Sequence, residues 1–289
     1  MNRKTVQSIA ASIAIMTALL SAACGNGATT GDANPDTAPA LAGETAAASQ
    51  VASGSASTPA PTPSPSPAPT VLPEQTGPLY RMNKVYRILP IDETKTPDKM
   101  VLLTFDDGPK DEEALTSLLD TLDAHHAKAI FFVNGYRVKQ HPELLKLIYD
   151  RGQTIGNHSW DHIDLKKEER ETVEKQIGDV QRDVEAITGQ VPHFFRPPYG
   201  SGGDTVKEAA LKEGLLFMTW SNGSLDWEQK APGDPDKVIA NVMEQLHPGA
   251  NILMHELKWT AKALDGLLSK LEKEGYGFID PASIETPAH

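Results

Sequence analysis

Val101-Leu102-Leu103-Thr104-Phe105-Asp106-Asp107-Gly108-Pro109 is the stretch that decides the fold. Five residues with no charge make the short run of a buried strand. Two adjacent carboxylates stand at its end, and Gly108-Pro109 forces a sharp turn that fixes both side chains where the strand stops. A strand delivering charge at its C-terminal end, before a helical pattern, is the unit of a parallel α/β sheet.

Working outward, similar apolar runs fall at Ala129–Val133, Thr154–Gly156, His193–Phe195, Leu215–Trp220, Asn251–Met254 and Tyr276–Ile279. Between most of them the apolar residues step by three and four. Leu115, Leu118, Leu119 and Leu122 form one stripe, and Leu144, Leu145, Leu147 and Ile148 a second. Val173, Ile177, Val180, Val184 and Ile187 form a third, and Leu264, Leu267, Leu268 and Leu271 a fourth. Gly152, Gly189, Gly214 and Gly275 stand where helices need a left-handed residue to end. Seven strands with intervening helices predict an α/β fold, a distorted (β/α)7-type barrel of parallel strands over residues 100–285. Residues 79–99 form a lead-in segment expected to pack on its outside.

The chain before the barrel is of a different kind. Arg3 and Lys4, an apolar core from Ile9 to Leu20 and the small residues Ser21-Ala22-Ala23 have the form of an export leader, residues 1–23. Cys24, the chain's single cysteine, follows at once, and the arrangement resembles a bacterial lipobox in which that cysteine is lipidated. With Cys24 so used no disulfide can form, and any metal must be held by nitrogen and oxygen. Residues 24–78 are Ala-, Thr-, Pro- and Ser-rich with no Lys or Arg, including a proline tract from Pro59 to Pro69. Such composition predicts a disordered tether. The expectation is an extracytoplasmic domain, anchored to a bacterial cell membrane through lipid alone. After residue 78 there are 35 acidic and 25 basic residues, a balance that argues against nucleic acid. A monomer is expected.

The unusual polar residues keep to strand ends. Asp106-Asp107 follows the first run, Asn157-His158-Ser159-Trp160-Asp161-His162 the third, and Arg196-Pro197-Pro198-Tyr199-Gly200 the fourth. Ser224-Leu225-Asp226-Trp227 comes after the fifth and His255-Glu256 after the sixth. In a parallel barrel all of these lie on the C-terminal rim, where barrel enzymes place their chemistry. Each motif has an ordinary alternative, since paired Asp can cap a helix and a His pair four apart can be a solvated feature. Their restriction to one face favours chemistry. One Asp and two His make a three-ligand site with a position open for water, and the second Asp is then a general base. On sequence alone either carboxylate can take either role. Arg196 can pair with the base, and His255, from another strand, can protonate a leaving nitrogen.

These residues resemble the polysaccharide deacetylase family, the carbohydrate esterases with a nodulation-protein-B homology domain. Thr104-Phe105-Asp106-Asp107-Gly108-Pro109 is similar to the family's first motif and His158-Ser159-Trp160-Asp161-His162 to its second. Arg196 to Gly200 is similar to the third, Asp226-Trp227 to the fourth, and Leu253-Met254-His255 to the fifth. The resemblance implies a metal-dependent hydrolase that removes N-acetyl groups from amino-sugar polymers. It implies Asp106 as base, and Asp107, His158 and His162 as ligands of one divalent ion, zinc first and cobalt, nickel or manganese as alternatives. His255 is then the acid, tuned by Asp226, with Arg196 holding the base. The Tyr199 backbone N–H is implied to stabilise the oxyanion, and Trp227 and Leu253 to line an acetyl-methyl pocket. Many members have a further Asp at the position of Gly223. Some members acting on muramic acid replace the second Asp by Asn and the motif-three Tyr by Arg. This chain keeps Asp107 and Tyr199, which points to cell-wall glycan with N-acetylglucosamine as the target, muramic acid or chitin oligomers being alternatives. The rival of another class is a non-catalytic glycan-binding lipoprotein on the same scaffold.

Overall fold

The computed structural model describes residues 77–230 and 233–287. The leader, Cys24 and the tether before Gly77 lie outside the described residues. An antiparallel hairpin of β1 (Tyr80–Met82) and β2 (Ile88–Pro90) comes first. It is followed by β3 (Met100–Gly108), α1 (Glu112–Ala124), β4 (Ala129–Val133), α2 (Gly135–Gln140), α3 (Pro142–Asp150) and β5 (Thr154–Asn157). Next come α4 (Arg170–Thr188), β6 (Phe194–Phe195), α5 (Asp204–Lys212), β7 (Leu216–Phe217) and β8 (Asn222–Gly223). Then α6 (Pro235–Glu244), β9 (Ala250–His255), α7 (Lys258–Lys273) and β10 (Gly277–Phe278) complete the order.

Strands β3 to β10 form one parallel sheet in the order β7-β6-β5-β4-β3-β9-β8. β10 pairs with Met100 and Val101, the part of β3 left open by β4, whose ladder begins at Leu103. No ladder among the described residues joins β7 to β8, so the expected barrel is a curled sheet open on one side. All seven sequence-predicted runs contain strand. The four glycines expected at helix ends are left-handed, with φ from 66° to 80°.

Alternation along β3 sorts the core. Val101, Leu103 and Phe105 pack with the leucine stripes of α1 and α7 on the helical face. Leu102 turns to the opposite face, where it clusters with Ile130, Phe132, Phe194, Met218 and Ile279. Thr104 and Asp106 continue that second side by the two-residue period of a strand. The register therefore commits Asp106 to the concave interior.

The lead-in segment does not lie on the outside. Tyr80 and Ile88 join the interior cluster with Leu102 and Ile284, and the Ile88 N–H donates to the Gly249 carbonyl at 2.9 Å. Gly249 has φ +72°, and a Cβ there would collide with the Ile88 carbonyl. The apolar concave face needs a cover at its N-terminal end, and the hairpin supplies it.

Candidate active site

Successive strand residues point to opposite faces, so Asp106 and Asp107 in a regular strand could not serve one site. The ladder between β3 and β4 shifts register between Asp106 and Gly108. Asp107 takes φ +66°, a left-handed conformation uncommon outside glycine. That break lets both carboxylates reach the same cavity. His158 and His162 come from the loop after β5, where Ser159 and His162 are also left-handed, at φ 65° and 56°.

One ligand-capable atom from each of Asp107, His158 and His162 lies within 4.8 Å of the others. Asp107 Oδ1 is 3.2 Å from His162 Nε2 and 3.5 Å from His158 Nε2. It is nevertheless buried without a hydrogen-bond partner. His158 Nδ1 faces the Arg196 carbonyl at 2.6 Å, and a carbonyl only accepts, so the proton sits on Nδ1 and Nε2 presents a lone pair. Burial pushes the His158 imidazole below its ordinary pKa, against the pull of Asp106 and Asp107. Burial opposes the charge on Asp107 too, but the neighbouring His162, His158 and His255 hold its carboxyl well below the usual carboxylate range. An ionised oxygen, the His158 Nε2 lone pair and the adjacent His162 Nε2 converge as a donor set that suits a divalent cation.

Asp106 is held differently. Its Oδ1 accepts from Arg196 Nη1 at 2.7 Å, while Oδ2 lies 3.7 Å from His158 Nε2. Arg196 is wholly buried, which would cost several kcal/mol if its charge were left alone. Nη1 also donates to Thr104 Oγ1 (2.8 Å), and Nη2 donates to the Thr219 carbonyl (2.9 Å) and Asn251 Oδ1 (3.1 Å). The guanidinium stands 4.4 Å over the Phe132 ring. The carboxylate roles left open by the sequence thus separate by position: Asp107 sits between the imidazoles and Asp106 is clamped by arginine. Neither caps the next helix, because Asp111 accepts from the Ala114 N–H there.

Across the cavity His255 Nδ1 donates to Asp226 Oδ1 at 2.8 Å. Asp226 Oδ2 accepts the His255 backbone N–H (2.8 Å) and the Thr260 hydroxyl (2.6 Å). Trp259 Nε1 donates to the Asp226 carbonyl at 3.0 Å. Burial lowers the His255 pKa, but Asp226, with Asp106 and Asp107 adding their charge, raises it overall above the ordinary value. The bonded Nδ1 leaves Nε2 as the ring atom available to the cavity.

The cavity is about 390 Å³ and is lined by Asp106, Asp107, His158, His162, Tyr199, Trp220, Trp227, Leu253 and His255, among others. Arg196 and Asp226 stand behind it. The Tyr199 ring meets the His162 ring edge-on at 4.8 Å and is 67% exposed. Trp227 packs edge-on against His255 and Trp220. A Cβ at Gly223 would come within 3.3 Å of Trp227 and 3.7 Å of Trp220, so the two indoles fill the space beside that position. Every site residue selected from the sequence within the described residues is brought to this rim. Sequence reasoning missed the holders behind it, Asn251, Thr219, Thr260 and Trp259. Asn251 could have been found, as an amide inside an apolar strand run.

Residues 93–218 match the polysaccharide deacetylase family model. The chain is 40% identical over 191 residues to a peptidoglycan-N-acetylglucosamine deacetylase of Listeria monocytogenes, an alignment covering 65% of this chain and 39% of that protein. The match thus spans about two-fifths of that relative's length. A peptidoglycan-N-acetylmuramic acid deacetylase of Bacillus subtilis is 34% identical over 195 residues, 66% of this chain and 73% of the other. Among solved structures, a pseudoenzyme of carbohydrate esterase family 4 from Bacillus anthracis superposes with a TM-score of 0.61 at 33% identity, covering 65% of this chain and 67% of that one.

Proposed function

The chain belongs to the polysaccharide deacetylase family, and from that premise we propose that it hydrolyses N-acetyl groups of cell-wall glycan, with peptidoglycan N-acetylglucosamine as the preferred unit. The observation that carries this reading is the orphaned, buried Asp107 Oδ1 between two imidazole nitrogens. Asp107, His158 and His162 would hold one divalent ion, zinc before cobalt, nickel or manganese. Such an ion supplies Lewis acidity toward water and the acetamide oxygen.

The remaining work belongs to side chains. Asp106, oriented by its 2.7 Å bond from Arg196 Nη1, takes a proton from the water that attacks the acetamide carbonyl. The new C–O bond turns the carbonyl carbon tetrahedral and its oxygen into an oxyanion; on collapse the C–N bond breaks as protonated His255 gives its Nε2 proton to the departing nitrogen. Asp226 steadies the imidazolium before that transfer. Tyr199 would offer its backbone N–H to the developing oxyanion, while Leu253 and Trp227 enclose the methyl group. Water and acetamide become acetate and a free amine.

A non-catalytic glycan-binding role is the second reading, and the likeness to a pseudoenzyme is what favours it. Against it stand the base, the three ligands and the acid, all present in one cavity. Anchoring outside the bacterial cytoplasm through lipidated Cys24 belongs to the same proposal, supported by the leader and the tether composition.

Incubation with peptidoglycan and with chitin oligomers, followed by acetate assay and mass spectrometry of the fragments, tests the reading. Chelator-sensitive acetate release with loss of acetyl from glucosamine is the expected result. Loss from muramic acid would select the alternative sugar. No release from metal-loaded protein would remove the enzymatic reading and leave the binding one.

A further inference from the structure

Glu256 is a buried carboxylate, 1% exposed, that the proposed reaction does not use. It directly follows His255, and its backbone N–H reaches toward the Asp106 carbonyl at 3.4 Å. Its Oε1 accepts two backbone N–H groups, from Lys110 and Asp111, each at 2.8 Å. Its Oε2 has no hydrogen-bond partner and lies 2.5 Å from where a Cβ at Gly108 would stand. Burial raises its pKa, with the two amides and the charges of Lys110 and Arg137 working in the opposite sense.

We infer that Glu256 is a positioning residue for the cation site: its carboxylate fills the turn from Gly108 to Asp111 and holds Asp107 in the left-handed conformation that aims Oδ1 between His158 and His162. The geometry gives three reasons. Asp107 is one residue before the glycine against which Oε2 rests, so the turn cannot relax outward without moving the ligand. A Cβ at position 108 would have to displace the carboxylate, a reason for glycine there that needs no positive φ, since Gly108 has none. The acceptor directly follows His255 at the end of β9, so the end of one strand fixes both the proton donor and the loop of the facing ligand. Glu256 also places negative charge at the N-terminal end of α1, where the helix dipole favours it.

The inference rests on the cation-binding reading of the triad, and the test separates the two. Cobalt(II) or zinc is titrated into metal-free parent protein, Glu256→Ala, Glu256→Gln and Gly108→Ala, reading the dissociation constant, the cobalt visible spectrum and the melting temperature of each metal-free form. Glu256→Ala and Gly108→Ala should weaken cation binding by about 10–100-fold, as loss of outer support to a ligand does, and should alter the cobalt bands. Glu256→Gln keeps the Oε1 acceptor and should stay within about threefold of the parent, an estimate from the same outer-shell scale. Should Glu256→Ala not fold, Gly108→Ala, which pushes the carboxylate from its seat, carries the same expectation. Parent-like affinity and spectrum in a folded Glu256→Ala or in Gly108→Ala would overturn the role. Affinity in Glu256→Gln as weak as in the alanine variant would also overturn it. A parent that binds no cation would instead overturn the triad reading and this inference with it.

Discussion

Both ends of the curled sheet carry a concavity, and they differ in kind. One at the N-terminal end, about 180 Å³, lies among Gln153, Thr154 and Ile155 at the start of β5 and Pro192 and His193 before β6. No Asp, Glu, Lys or Arg lines it. The one at the C-terminal end holds two carboxylates and three imidazoles. Backbone strain divides the same way. Of the seven non-glycine residues with positive φ among those described, five (Asp107, Ser159, His162, Tyr199 and Leu225) stand on the C-terminal loops. Such conformations each cost on the order of 1–3 kcal/mol and persist where surrounding structure enforces them. The lesson is that concavity alone does not mark a site. Enforced strain beside unsatisfied ligand atoms does.

The sharpest way to break that contrast is at the ligands. Asp107→Ala, or chelation of the parent, should abolish acetate release. Adding zinc at about 100 times its dissociation constant should stabilise only the parent, by about 2.7 kcal/mol, measurable as a melting shift. Next in size, Asp106→Asn should lower kcat by about 10²–10⁴-fold, the usual worth of a general base, while leaving cation affinity near that of the parent. Steady-state kinetics with metal titration separates the two effects.

A third test concerns pH. His255 must carry a proton to donate it; burial works against that proton, but Asp226, helped by Asp106 and Asp107, outweighs burial and raises the pKa. Activity should therefore fall as pH rises through a value above that of an ordinary imidazole. In Asp226→Asn burial loses its main opponent, so the alkaline limb of the kcat profile should move to lower pH. An unmoved limb would show that another group is the acid. The smallest effect on activity belongs to the opposite end of the sheet. Gln153 Oε1 accepts the buried Ala129 N–H at 2.9 Å. Gln153→Ala should cost about 1–3 kcal/mol of stability by stranding that donor, with kcat of the folded protein unchanged.

Much of this was legible in the chain. The apolar runs of β3, β4, β5 and β9 are long enough to show themselves, and the charged residues after them announced the rim. Strand β8 was not legible, because two residues carry no period, and the ladders of β6 and β7 cover only two residues of longer apolar runs. The lead-in hairpin was placed on the wrong side, since its apolar residues say that they are buried but not against which face. The separate placements of Asp106 and Asp107 come from a register shift against β4 and from Arg196, both tertiary. Glu256 stood in plain view beside His255, yet its amide partners lie about 145 residues away in sequence.

Anomalous diffraction from zinc-soaked crystals at the zinc absorption edge tests the central claim most directly. One peak is expected per chain, about 2.0–2.2 Å from Asp107 Oδ1 and from Nε2 of His158 and His162, with Asp106 still clamped by Arg196. A peak elsewhere, or none at saturating zinc, would contradict the account.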